Sequence, residues 1–136
     1  MEFKPLCRLT AITGALIIWS VKFGIRPFTQ FEEPTQFILG IAPNLLGSFL
    51  IPFYAFWLFS GRDNFVARIF RLQSLLDLRY VCMLGLGMLI INEYLQLLPV
   101  FGRTFDYYDI ISSASGLSVS YFVFGKILTR YQLQAN

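Results

Sequence analysis

The sequence predicts an all-α membrane protein of four transmembrane helices, with a short cytoplasmic amphipathic segment between helices 2 and 3. Three observations predict it. Of 136 residues, 56% are hydrophobic and only 14% charged, against about 25% charged in a typical soluble domain. The mean hydropathy is +0.60. The apolar residues also gather into four stretches, each near the ~20 residues that a bilayer requires. They fill one polytopic domain over residues 1–136 and leave little else.

The first span covers about 9–26, an apolar run followed by Lys22, Arg26 and Pro27. No small-x-small cleavage site follows it, so a retained helix is expected rather than a signal peptide. The second span covers about 36–59 and contains Pro43, Asn44, Gly47 and Pro52. Two prolines break or kink the backbone ladder, which neighbouring helices can re-satisfy. Such a helix either packs as a kinked element or lines a cavity.

Gly61-Arg62-Asp63-Asn64 is a turn and helix-start signal. After it, Phe65, Ile69, Leu72 and Leu76 fall near helical spacing, with Arg68 and Arg71 elsewhere. That pattern suits a short amphipathic helix in the lipid interface, or a polar-faced connector. The third span covers about 80–98, with Gly85 and Gly87 early in it and Pro99 as its stop. The fourth covers about 109–128. Its Ser112, Ser113, Gly116 and Ser120 form a stripe of small residues that predicts close helix packing.

Orientation follows from the basic residues. With four spans, the two termini and the middle loop share a side that holds Lys4, Arg8, Arg62, Arg68, Arg71, Arg79, Lys126 and Arg130. The other side holds Lys22, Arg26 and Arg103. Both termini are therefore expected in the cytoplasm. The scattered positive charge forms no basic stripe of the kind nucleic acid requires, so no nucleic-acid partner is expected.

The chain has no histidine and two cysteines, Cys7 and Cys82. Both are placed near the cytoplasmic face, where a structural disulfide is disfavoured. Zinc and haem lack obvious ligands, so neither a metal nor a cofactor is expected. His-dependent nucleophilic catalysis is excluded as well.

Polar chemistry concentrates between Glu93 and Asp109, in a run joining the third and fourth spans. A carboxylate within a span is costly to keep there and reads by default as a functional site. Glu93 lies 13 residues beyond Tyr80, or ~20 Å along the axis, in the outer half of the bilayer. Gln96 shares its face at i+3, while Asn92 lies about 100° round the helix and can meet a different neighbour. Asp109 at the start of the fourth helix meets the favourable end of its dipole.

Arg103 can fold back between Glu93, Asp106 and Asp109, since a guanidinium fork binds two carboxylates. Phe105, Tyr107 and Tyr108 fit an interfacial aromatic belt. Two readings stand side by side. In one, Asp109 is an N-cap, Arg103 closes a structural ion pair, and Glu93 with Gln96 joins helices. In the other, these residues with Asn44 line an outward-facing pocket for a polar or phosphorylated lipid head group.

These residues resemble the pattern of the VanZ-like family of small bacterial membrane proteins. That pattern is Glu-x-x-Gln on one span, then Arg-x-Phe-Asp-x-x-Asp in a loop, then Asn and Gly on the next helix. Here it reads Glu93, Gln96, Arg103, Phe105, Asp106, Asp109 and Gly116. A second motif of Asn, Phe and Pro is similar to Asn44, Phe49 and Pro52. The resemblance covers roughly 44–128 and is specific in the second half and weak in the first. Where the family has Asn near the start of the last helix, this chain has Ser112-Ser113, whose hydroxyls replace only part of an amide's bonding.

The resemblance implies a multi-pass protein of the bacterial inner (cytoplasmic) membrane and the cell envelope, and a connection with resistance to teicoplanin-type glycopeptides. The leading expectation is a non-catalytic protein that binds membrane lipid, a lipid-linked envelope precursor or another polar envelope ligand. A second is an accessory subunit that packs its Ser112/Gly116/Ser120 face into a larger membrane complex. A third is an enzyme on a lipid-linked substrate, with Glu93 as base and Arg103 holding phosphate. No nucleophile elbow, metal set or phosphate loop supports the third. A transporter is weaker still, because four spans show no inverted repeat.

Overall fold

The computed structural model of the chain describes residues 2–98 and 105–135. Among the described residues there are helices and no strand. They run α1 (Phe3–Trp19), a π-helical segment (Ser20–Ile25), α2 (Glu33–Phe49), α3 (Ile51–Phe59), α4 (Phe65–Ile69), α5 (Leu75–Leu95) and α6 (Tyr107–Ala135). Four stretches of the described residues are long and apolar enough to cross a bilayer: Phe3–Ile25, Glu33–Phe59, Leu75–Leu95 and Tyr107–Gln134. The chain is an all-α, multi-pass membrane protein.

The spans match the expected ones in number and order but differ at their ends. The first starts at Phe3 rather than near residue 9, since Lys4 and Arg8 stay exposed while Phe3, Cys7, Ala11 and Gly14 form a buried stripe. Small side chains in that stripe let α1 approach its neighbours. A Cβ on Gly14 would stand 2.3 Å from Leu50 Cδ1, and the Tyr54 hydroxyl donates to the Ala11 carbonyl at 3.0 Å.

The second span is interrupted at Leu50, where α2 gives way to α3. Pro52 brings no N–H for the carbonyl four residues earlier, so the ladder weakens there. The neighbouring helix engages the adjacent carbonyl at this break: the Ser120 hydroxyl of α6 donates to the Phe49 carbonyl at 2.5 Å. Around that bond α2 and α6 make the most extensive helix contact among the described residues. A Cβ on Gly116 would meet Leu45 O and Ser48 Oγ, both at 2.2 Å, and Ser48, Ser112, Ser113 and Ser120 are all buried. The small-residue stripe thus lies buried against α2 of the same chain. Its serines are covered within the bundle.

The segment after Asn64 departs from expectation. Its helix covers only Phe65–Ile69 and does not continue through Leu72 to Leu76. Leu72 enters the core, Phe59 and Phe70 stack with centroids 5.3 Å apart, and Leu76 belongs to α5. A capping box on Ser74 and Asp77 starts α5 afresh, because reciprocal side-chain bonds satisfy its first amides.

Phe3, Phe53, Phe56 and Phe124 pack near the α1 N-terminus, with Phe3–Phe56 centroids 4.5 Å apart and Phe53–Phe124 5.0 Å. Polar links gather at this same end: the Lys4 ammonium donates to the Ser60 carbonyl at 2.7 Å, Arg71 pairs with Asp63 at 2.7 Å, and Gln132 donates to the Gln73 carbonyl. One end of the bundle is therefore closed by aromatic packing. The polar cleft lies at the other.

Candidate functional site

The opposite end is built from four elements that each finish or begin a span there. Helix α1 passes into a π turn over Ser20–Ile25, closed by Arg26 N–H donating to the Val21 carbonyl at 3.1 Å. A π turn adds a residue to the helical repeat, shifting the direction of the side chains that follow, and such turns recur at functional sites. Lys22 and Arg26 leave this segment into a cleft, and the Arg26 guanidinium passes over Gly40 of α2. Its Nη2 lies 3.8 Å from where a Cβ on Gly40 would stand. A larger side chain at residue 40 would occupy the guanidinium's path.

The cleft has a volume of about 560 Å³. Helix α2 lines it with Gln36, Phe37, Gly40, Ile41, Pro43 and Asn44. Helix α5 contributes Asn92 and Glu93, with Gln96 just beyond its last turn. Asp106 and Asp109 close it from the start of α6.

Glu93 is buried, at 7% exposure, and its Oε1 accepts from the Gln96 side-chain amide at 2.9 Å. That i+3 pair is the one expected from spacing along a helix. Charge-assisted bonds of this kind hold a carboxylate in a fixed rotamer where water is scarce.

Asp106, rather than Asp109, caps α6. Its Oδ1 accepts from the Tyr108 N–H at 2.9 Å, and its carbonyl accepts from the Asp109 N–H at 3.2 Å. Asp109 is the third residue of the helix, where its charge still meets the favourable dipole end. Its carbonyl accepts from the Ser112 hydroxyl at 3.0 Å. That bond turns the first of the two serines back onto the helix. Phe37 of α2 packs edge-on to Tyr108 with centroids 5.1 Å apart, tying the α2 and α6 walls together. Tyr107 and Tyr108 are exposed, as an interfacial belt requires.

Five sequence-derived site residues, Asn44, Glu93, Gln96, Asp106 and Asp109, thus line one cleft. The sixth, Arg103, and the Pro99 stop lie outside the described residues. Sequence reasoning missed Lys22, Arg26, Gln36 and Asn92. In the sequence Lys22 and Arg26 stand only as charges flanking a span. Their i, i+4 spacing was a usable signal, but it became meaningful only once their segment was seen to face α2.

Among the described residues, neither Lys22 nor Arg26 lies within 4.0 Å of a carboxylate; the ion pair found there is Arg71–Asp63. Also among the described residues, no three of Asp, Glu, Cys and His converge closely enough to hold a metal ion. Cys7 and Cys82 are free thiols. Comparison with protein-family models, curated proteins and solved structures finds no match to this chain.

Proposed function

We propose that this chain is a multi-pass protein of the bacterial inner membrane, VanZ-like in character, that binds the polar head of a lipid-linked or other envelope ligand in the cleft between its π segment, α2, α5 and α6. The observation that carries this reading is the cleft itself: a 560 Å³ space at one end of the bundle whose lining includes two cations, three carboxylates and four amide side chains. Small-molecule sites fall in this size range and place a few polar groups in a concave wall.

The basic residues orient the cleft away from the cytoplasm, with both termini on the cytoplasmic side. The ligand is then a component of the outer leaflet or the space beyond it, which agrees with an envelope role and a connection with glycopeptide resistance. Two of its carboxylates have side-chain roles in the fold, Glu93 bonded by the Gln96 amide and Asp106 capping α6, while Asp109 lines the cleft beside them.

Native mass spectrometry of gently purified protein tests the proposal, with wild type beside Arg26→Gln and Arg103→Ala. A polar lipid or precursor retained by the wild type and lost from the variants is expected. A spectrum of bare protein, or the same adduct in all three, would refute it.

A further inference from the structure

The cleft divides its charges in a way that specifies what a ligand must carry. Lys22 and Arg26 enter from the end of the first span, and Glu93, Asp106 and Asp109 from the third and fourth. The two cations line the same cavity as the carboxylates, yet among the described residues they stop more than 4.0 Å short of them. Lys22, Arg26 and Asp106 are exposed, so water screens the attraction between the two walls and lets them stand apart. A ligand carrying both signs would bridge the gap and match both walls, whereas a purely anionic one would meet the carboxylate wall unfavourably.

The positive part of such a ligand can be narrowed by chemistry. A quaternary ammonium is recognised by aromatic cages, and Phe37 is the sole aromatic among the described lining residues. A primary ammonium instead offers three N–H donors, matched by the carboxylates of Asp106 and Asp109 and the side-chain carbonyls of Asn44, Asn92 and Gln96. A divalent metal is disfavoured because the carboxylates do not converge as a ligand set among the described residues. For the negative part, a guanidinium fork with a nearby ammonium suits a phosphate ester.

We propose that the ligand is a phosphate ester bearing a primary amine on the same head group, as in an ethanolamine-phosphate lipid, with phosphate held by Lys22 and Arg26 and ammonium by the Asp106/Asp109 wall. This assignment rests on the ligand-binding reading of the cleft. The shared chemistry also belongs to soluble amine-bearing phosphate esters, so the test separates the two sources.

The protein in detergent micelles is titrated with phosphatidylethanolamine, phosphatidylcholine and phosphatidylglycerol, and bound lipid is counted by native mass spectrometry. The ethanolamine lipid is expected to bind about tenfold more tightly than the other two, the effect of one charge-assisted hydrogen bond. Asp109→Asn should narrow that ratio towards one, and Arg26→Gln should weaken all three lipids. Displacement by glycerophosphoethanolamine would assign the head group alone as the recognised unit. Failure of that soluble ester to compete would assign the membrane lipid; both outcomes keep the paired-charge assignment.

Equal binding of the three lipids by the wild type, lost in Arg26→Gln, would overturn the amine assignment and leave a phosphate-binding cleft standing. Lipid binding insensitive to Arg26→Gln would overturn this proposal and the binding reading together. The head-group comparison on the wild type needs no variant to fold.

Discussion

At Gly116 a single missing methyl sets the distance between two helices. The Cβ of any other residue would collide with the Leu45 carbonyl and the Ser48 hydroxyl of α2, and backbone atoms cannot swing aside as a flexible side chain can. Gly116→Ala is therefore expected to lower stability by about 1–3 kcal/mol, the usual cost of overpacking. Gly87→Ala, with nothing within 4 Å of its Cβ, should stay within about 0.5 kcal/mol of wild type. Thermal unfolding in detergent compares the two; equal melting temperatures would contradict the close α2–α6 contact. The small-residue stripe was legible because 112, 116 and 120 share a helix face. Its partner was not, since nothing local in the sequence states which helix a stripe will meet. The same limit applies to Lys22 and Arg26, which look like ordinary span-flanking charges until α2 is seen to run beneath them with Gly40 under the guanidinium.

Among the elements, the π turn brings the two cations to the site. A regular α-helix rotates about 100° per residue. Removing the extra residue, by deleting Val21, should restore α-helical winding and carry Lys22 and Arg26 round with it. The expected outcome is loss of the bound adduct with membrane insertion retained, read by native mass spectrometry and membrane fractionation. Retention of the adduct at wild-type level would show that the turn does not position the cations. No sequence signal marked this turn, because Ser20–Ile25 carries the apolar character of any span end. Other elements were half legible. Four apolar stretches fixed four spans, yet Lys4 and Arg8 hid the first turns of α1, because long basic side chains can extend into water from a helix whose other face is packed. The short α4 shows the reverse error. Helical spacing through Leu72 and Leu76 suggested one longer helix, but core burial of Leu72 and the Ser74/Asp77 capping box divide it.

For the molecule as a whole, the two ends of the bundle have different tasks. One end is knit by the Phe3/Phe53/Phe56/Phe124 cluster and by links joining Lys4 to Ser60 and Gln132 to Gln73. Those links place the first helix's start, the middle loop and the last helix's end together, as an even number of spans requires. The other end carries the cleft, where Phe37 of the lining packs against Tyr108 of α6. This polar end is expected to open outward. Cysteine labelling in intact cells with a membrane-impermeant thiol reagent checks that orientation, with wild type as the blank for Cys7 and Cys82. Asp106→Cys should be labelled without permeabilisation, and Asn64→Cys only after it. Labelling of Asn64→Cys from outside, with Asp106→Cys protected, would invert the molecule and contradict an outward-facing ligand site.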